Sequence, residues 1–254
     1  MGFSEIAGGI FRAVFPKSAP FTTAVVLAGG CGTRMQSPDG VKKQFRMLCG
    51  VPVLAHTLRA FDDCPQIKET VVVSCADEID CVRSLAEQYG IKKLSTVVAG
   101  GETRKASALR GFMAINKKAS YVAIHDAARC LIRAEDISAV ATAAYAYGAA
   151  TAVFPVTDTL KSVTEDGFVE KTIPRDRVFH AATPQIFSCD LYRAAVYTAE
   201  KDNIDVTDDN MLMEYIGQRV KIVDCGDENL KITTERDFYR AEAILKERIA
   251  HDGL

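Results

Sequence analysis

Thr23-Ala24-Val25-Val26-Leu27-Ala28-Gly29-Gly30-Cys31-Gly32-Thr33-Arg34-Met35 runs from a β-branched, apolar segment straight into a glycine-rich loop. A strand that empties into such a loop places it at the carboxyl edge of a sheet, where open α/β folds bind ligands. Three glycines in four positions let the backbone turn freely and bring its N–H groups against a phosphate chain. The loop fits neither familiar nucleotide motif. A P-loop would end in Gly-Lys-Ser/Thr, and a dinucleotide fingerprint would put a third glycine where Met35 stands. Arg34 follows, then Lys43 in Lys42-Lys43-Gln44-Phe45, and glycines plus fixed cations suit a nucleoside triphosphate. A flexible turn with surface cations is the plain alternative for this loop alone.

From this strand outward, short β-branched runs alternate with amphipathic ones, the pattern of a mostly parallel sheet with helices on both faces. Strands are expected at 23–28, 69–75, 94–98, 121–125, 150–154 and 220–223, and helices at 53–61, 77–89, 105–115, 134–147, 191–200, 208–216 and 235–249. In the last helix Phe238, Ala241, Ile244, Leu245 and Ile249 share one face, and Thr234 with Asp237 forms a capping box. No linker divides the chain, so residues 21–254 are expected to form one domain behind an N-terminal extension, 1–20. One segment breaks the alternation. Lys161–Val163 and Phe168–Thr172 are strand-like runs joined through Asp166-Gly167, a hairpin signal. Such a hairpin cannot easily join a parallel sheet, so an arm over about 157–178 is expected to project and to bury itself against a second copy of the chain.

Composition sets the outer limits. The 254 residues carry 31 Lys+Arg against 33 Asp+Glu, a net charge of -2, and 48% are hydrophobic. That is a globular chain without the overall field that gathers nucleic acid or an anionic membrane. No apolar run reaches about 18 residues, as a membrane span requires. The eight cysteines show no zinc-ligand spacing and read as buried thiols of a reducing, cytoplasmic compartment.

Later loops add chemistry. Asp126, in His125-Asp126-Ala127-Ala128-Arg129, ends a central strand opposite the glycine loop, where a carboxylate can hold Mg²⁺ against triphosphate oxygens or simply cap the next helix. His125 reads as a packed strand residue. Gly100-Gly101-Glu102-Thr103-Arg104-Lys105-Ala106-Ser107 opens a helix, with glycines for close approach and Ser107 placed to meet a base edge. Thr183-Pro184-Gln185 reads as a turn, and Thr207-Asp208-Asp209 as a helix cap.

In order, LAGGCGTRM (27–35), KQF (43–45), GGETRKAS (100–107), HDAAR (125–129), VTDTLK (156–161), PR (174–175), ATPQ (182–185), VTDD (206–209) and NLKIT (229–233) resemble the IspD family, the 2-C-methyl-D-erythritol 4-phosphate cytidylyltransferases, from Thr23 to about Leu245. The resemblance implies a Rossmann-like nucleotidyltransferase sheet with a protruding β-hairpin arm. It implies that Leu27, Ala28, Gly29, Gly30, Gly32 and Thr33 hold CTP, that Gly100, Gly101 and Ser107 read the cytosine, and that Asp126 binds Mg²⁺ or another divalent cation. Arg34 and Lys43 are similar to the pair that stabilises charge at the α-phosphate, and Arg175 and Lys231 to those that position methylerythritol phosphate. Arg129, Thr159 and Thr207 would complete that pocket. In the family the arm is exchanged in a homodimer, so Thr159 and Arg175 would serve the other subunit. Two prolines usual in the family are replaced, by Lys42 and Cys130, which is expected to change loop rigidity and remove no ligand. Glu228 stands where some members carry Asp, as a second Mg²⁺ carboxylate, a pocket carboxylate or neither. A related ribitol-5-phosphate cytidylyltransferase and a catalytically inactive nucleotide-binding homologue are the rival readings.

Overall fold

The computed structural model describes residues 19–29 and 41–251. Gly30, Gly32, Thr33, Arg34 and nearly all of the N-terminal extension lie outside the described residues. The central sheet has seven strands. They are β1 (Thr22–Leu27), β4 (Ile67–Ser74), β5 (Leu94–Ala99), β6 (Tyr121–Asp126), β7 (Ala149–Pro155), β10 (Phe179–Ser188) and β11 (Lys221–Asp224). Their order is β11-β7-β10-β6-β1-β4-β5. β6, β1, β4 and β5 are mutually parallel, and β11 is parallel to β7. The remaining short strands are β2 (Met47–Leu48) with β3 (Val51–Pro52), and β8 (Leu160–Val163) with β9 (Val169–Ile173).

β1 shows why helices cover both faces. Side chains alternate across a strand, and Ala24 and Val26 join one apolar cluster while Val25 joins the other. The first face receives α1 (Val53–Asp63), α2 (Ile79–Gln88) and α4 (Ala134–Tyr147) through residues such as Leu58, Val82 and Val140. The second receives α3 (Arg104–Met113), α5 (Cys189–Lys201) and α6 (Asp209–Tyr215) through Phe112, Tyr192 and Leu212. A third cluster, with Leu48, Cys130, Leu230 and Phe238, seats α7 (Glu235–His251). The capping box expected there is present: Asp237 Oδ2 accepts from the Thr234 N–H at 2.9 Å, and Thr234 Oγ1 accepts from the Asp237 N–H at 3.3 Å. Among the described residues no helix is long and apolar enough to cross a membrane.

β10 corrects the sequence reading. Thr183-Pro184-Gln185 is part of a ten-residue strand that runs antiparallel between β6 and β7. Proline removes a ladder donor, which argues against a central strand. Here the register with β7 breaks between Ala181 and Gln185, so Pro184 occupies the irregularity. The hairpin is as expected: β8 and β9 form their own antiparallel pair apart from the main sheet, and Gly167 takes the left-handed turn position at φ +88.

His125 is a packed strand residue. It is fully buried, its ring lies against Phe61, and its Nδ1 and Nε2 lie 3.0 Å from Thr183 Oγ1 and 3.3 Å from the Arg129 carbonyl. Burial, helped by the Arg129 and Lys231 cations and opposed by Asp126, pushes its pKa down to about 3. The unfolded chain takes up this proton near pH ~6.5 and the native chain does not, so stability falls as pH drops through the window between those values. Urea unfolding is expected to lose about 2 kcal/mol between pH 7 and pH 5 from this group. A His125→Asn variant is expected to show a correspondingly flatter profile, and an unchanged profile would refute the assignment.

Candidate active site

The site is built where parallel strands end. Beyond β1, the Ala28 N–H donates to the Val73 carbonyl at 2.7 Å, and the Ala127 N–H donates to the Leu27 carbonyl at 3.0 Å. These bonds fix the start of the glycine loop beside Asp126. At Gly29 the Ser74 backbone is so near that an added Cβ would sit 3.3 Å from its carbonyl carbon.

The next parallel strand, β5, delivers Gly100-Gly101. The Gly100 N–H donates to the Ser74 carbonyl at 2.8 Å, and the Gly100 carbonyl accepts from Arg110 at 2.7 Å. Ser107 closes the loop, accepting from the Gly101 N–H at 3.1 Å and lying 3.3 Å from the Gly101 carbonyl. A Cβ on Gly101 would fall 2.5 Å from that of Ala106, so glycine is a steric requirement. The hydroxyl expected to face a base edge also holds its own loop in shape.

Asp126 is the centre of charge. Lys231 Nζ lies 2.8 Å from Oδ2, Arg104 Nε 3.4 Å from Oδ1, and Arg129 Nε 4.0 Å from Oδ2. Burial alone would raise its pKa, but Lys231, Arg104 and Arg129 outweigh burial and hold the carboxyl well below the usual range. Lys43 joins from another direction. Its Nζ donates to the Ile232 carbonyl at 3.1 Å, one residue beyond Lys231.

Arg104 extends the network to the other cations' far side. Its Nη1 lies 2.7 Å from Asp209 Oδ2, in a carboxylate only 2% exposed that also accepts from Tyr192 Oη at 2.8 Å. The Asp209 N–H donates to Gln185 Oε1 at 3.0 Å, and Gln185 Nε2 donates to Asp208 Oδ2 at 2.7 Å. Thr183 Oγ1 accepts from the Asp126 N–H at 3.1 Å. The TPQ and TDD segments, bland in isolation, together back the Asp126 strand end, and Asp208 is the helix cap expected of it.

The sequence model of the family described as IspD, 2-C-methyl-D-erythritol 4-phosphate cytidylyltransferase, matches residues 22–247. The chain belongs to the IspD family. The 2-C-methyl-D-erythritol 4-phosphate cytidylyltransferase of Pelotomaculum thermopropionicum is 41% identical over 226 residues, covering 89% of this chain and 94% of that one. The Clostridium acetobutylicum protein of the same name is 39% identical, covering 88% and 96%. Among solved structures, the 4-diphosphocytidyl-2C-methyl-D-erythritol synthase of Anaerococcus prevotii superposes with a TM-score of 0.80 at 28% identity, covering 90% of this chain and 97% of that one. The Thermus thermophilus cytidylyltransferase gives 0.71 at 27%, covering 89% and 99%.

In this IspD chain the expected residues divide into two sets. Leu27, Ala28, Gly29, Gly100, Gly101, Ser107, Lys43, Asp126 and Lys231 gather at one edge of the sheet. Arg129 is there too, but its guanidinium is spent on main chain, donating to the Asn229 carbonyl at 2.8 Å and the Ala181 carbonyl at 3.3 Å. It braces the segment that carries Lys231. Arg175, Thr159 and Thr207 are exposed, and among the described residues no hydrogen bond or ion pair joins them to Asp126 or Lys231. Arg175 donates to the Thr157 carbonyl, and Thr207 Oγ1 lies 3.0 Å from Met211 Sδ. Glu228 is not a pocket carboxylate. Its Oε2 is taken by Arg248 at 2.6 Å and Arg133 at 2.8 Å, tying α7 to the body. Cys130 packs in the third apolar cluster, where burial pushes its thiol up to about 12.

Arg104 was missed as a site residue. It stands inside the GGETRKAS block, and the only signal for it is that two buried carboxylates far along the chain, Asp126 and Asp209, need a shared cation. Removing one partner of a buried pair leaves an uncompensated charge. Arg104→Met is therefore expected to lower unfolding free energy by about 3 kcal/mol, and Arg104→Met with Asp209→Asn to recover part of that loss. Denaturant midpoints would check both, and a change below ~0.5 kcal/mol would show that Arg104 does not neutralise Asp209.

Proposed function

We propose that the protein transfers the cytidylyl group of CTP to 2-C-methyl-D-erythritol 4-phosphate, giving 4-diphosphocytidyl-2-C-methyl-D-erythritol and pyrophosphate. The observation that carries this is the convergence of Lys43, Lys231 and Asp126 near the end of β1, where the glycine loop starts, in a chain of the IspD family. CTP lies along Leu27 to Thr33 with its base toward Gly100, Gly101 and Ser107. The attacking phosphate oxygen displaces pyrophosphate in line at the α-phosphorus. Both reactants are anionic, so the barrier is repulsion plus charge building on the α-phosphoryl oxygens, and cations fixed in advance lower it. Arg34 and Lys43 serve the α-phosphate, and Lys231 with Arg175 holds the phosphate of the second substrate. Arg129 and Thr207 support that pocket. No protein nucleophile is required, because the attacking phosphate is already ionised near neutral pH.

The donor set suits Mg²⁺ in one respect. Asp126 is ionised and presents hard oxygen beside the phosphate loop, while among the described residues no three His, Cys, Asp or Glu converge into an all-protein cage. Mg²⁺ commonly takes one or two carboxylates and completes its shell with substrate phosphates and water. Asp126 would hold it, and the ion would neutralise triphosphate charge. Lys231 and Arg104, which pair with Asp126 in the free protein, have phosphate oxygens as alternative partners once substrates are present.

The arm supports a second copy as partner. Val163, Phe168 and Val169 are 62%, 70% and 63% exposed on the hairpin that β8 and β9 form, apolar surface that a homodimer with exchanged arms would cover and that would bring Thr159 and Arg175 to the other copy's site. Sedimentation of the full chain is expected to give a dimer, and Phe168→Asp to shift it toward monomer; a wild-type monomer at micromolar concentration would refute the exchange. Pyrophosphate release is expected with CTP plus methylerythritol phosphate and not with ribitol 5-phosphate. Turnover of ribitol phosphate alone, or CTP binding without turnover, would replace this reading. Lys43→Ala is expected to lower kcat by at least about 100-fold, the scale of one preorganised donor.

A further inference from the structure

Glu78 is a carboxylate the chemistry above does not use. It ends a single 3-10 turn (Ala76–Glu78) after β4, is only 7% exposed, and its N–H donates to the Cys75 carbonyl at 3.1 Å. A buried carboxylate must be paired or hydrogen-bonded. Among the described residues its side-chain partners come from one short segment: Lys42 Nζ lies 2.6 Å from Oε1, and Gln44 Nε2 lies 3.4 and 3.2 Å from Oε1 and Oε2. Between them in sequence stands Lys43.

We infer that Glu78 is a positioning residue whose single carboxylate grips the side chains on either side of Lys43 and so aims that cation into the site. The inference rests on the role given to Lys43 above. The turn is well placed for such control. The Phe45 N–H closes it on the Lys42 carbonyl at 2.9 Å, and Lys43 Nζ reaches the Ile232 carbonyl next to Lys231. Gln44 is 3% exposed, so its amide cannot swing out to water and leaves Glu78 as its acceptor. The hydrogen bond to Glu78 also raises the Lys42 pKa, keeping that ammonium charged.

The backbone of Lys42 explains why an ion pair suffices. Its φ of -65 is the angle a proline ring would impose, and its ψ of 143 is one that proline adopts in extended chain. Where proline would restrict this approach covalently, here the Lys42–Glu78 pair restricts it from the side chain. Lys42 is thus not a neutral replacement, and Glu78 is its necessary complement.

The test is steady-state pyrophosphate release with CTP and methylerythritol phosphate, comparing Glu78→Gln, Glu78→Gln with Lys42→Pro, and Lys43→Ala. Glutamine can still accept from Gln44 but cannot pair with Lys42. Misplacing a catalytic group by a fraction of an ångström to an ångström is a kcat effect of roughly 10- to 100-fold. Glu78→Gln is expected to lower kcat by about 10-fold while each KM moves less than about threefold, and adding Lys42→Pro is expected to restore most of kcat. A purely structural role would not produce a kcat loss that a proline reverses. Wild-type kcat in Glu78→Gln, or a loss that Lys42→Pro leaves untouched, overturns the inference. If Lys43→Ala is itself unimpaired, the role of Lys43 falls and the inference with it; if Lys43→Ala is impaired and Glu78→Gln is not, only the clamp falls. Should Glu78→Gln fail to fold, Lys42→Met against Lys42→Pro reads the same contrast at a side chain that is 34% exposed.

Discussion

A carboxylate at the buried end of a central strand is costly unless cations meet it there. Asp126 imposes that condition, and the site follows from it. Lys231 arrives from the loop before α7, Arg104 from the first turn of α3, and Arg129 from three residues downstream. Each cation then needs its own support. Arg104 finds Asp209, which recruits Tyr192 and Gln185, and Arg129 finds the carbonyls of Asn229 and Ala181. One ionised group thereby ties the parallel half of the sheet, the antiparallel strand β10 and the last loop into one arrangement. Arg104 is shared between the two carboxylates Asp126 and Asp209, while Lys231 pairs with Asp126 alone.

The parts of the fold that show in the sequence are those whose burial is simple. β1, β4 and β6 are β-branched runs covered on both faces, and α4 and α7 repeat apolar residues at helical spacing, so composition and position agree. β10 was hidden because its middle, Thr183-Pro184-Gln185, is polar and contains a ladder breaker. Its polar side chains are buried all the same, since each has a partner: Thr183 with His125 and Asp126, and Gln185 with Asp208 and Asp209. Satisfaction of those groups is a tertiary fact, and local pattern holds no trace of it. The two-residue strands β2 and β3 are too short to show any period at all.

The candidate site divides along the same line. Gly100, Gly101 and Asp126 can be placed from neighbouring residues alone, because a loop or a strand end is a local object. Lys231 becomes recognisable only through resemblance, and Arg104 and Glu78 only through geometry. Arg104 meets Asp209 across 105 residues of sequence, and Gln44 meets Glu78 across 34. A charged residue's meaning lies in its partner, and the partner is chosen by the fold.

The two replaced prolines make the distinction concrete. Cys130 lies among Leu131, Leu230 and Phe238, where a small neutral thiol fills space and the neighbouring backbone is already held, the Arg129 N–H on the Asp126 carbonyl and the Ile232 N–H on the Ala128 carbonyl. Nothing further is asked of that position. Lys42 stands beside Lys43, whose Nζ reaches the Ile232 carbonyl next to Lys231. Rigidity lost at residue 42 is supplied from elsewhere, by the buried Glu78 carboxylate that follows β4. The same logic reconciles the slightly acidic chain with a site for two polyanions. Lys42, Arg104 and Lys231 each rest on a protein carboxylate, so the positive charge is stored in pairs and hardly shows in the net charge of the chain.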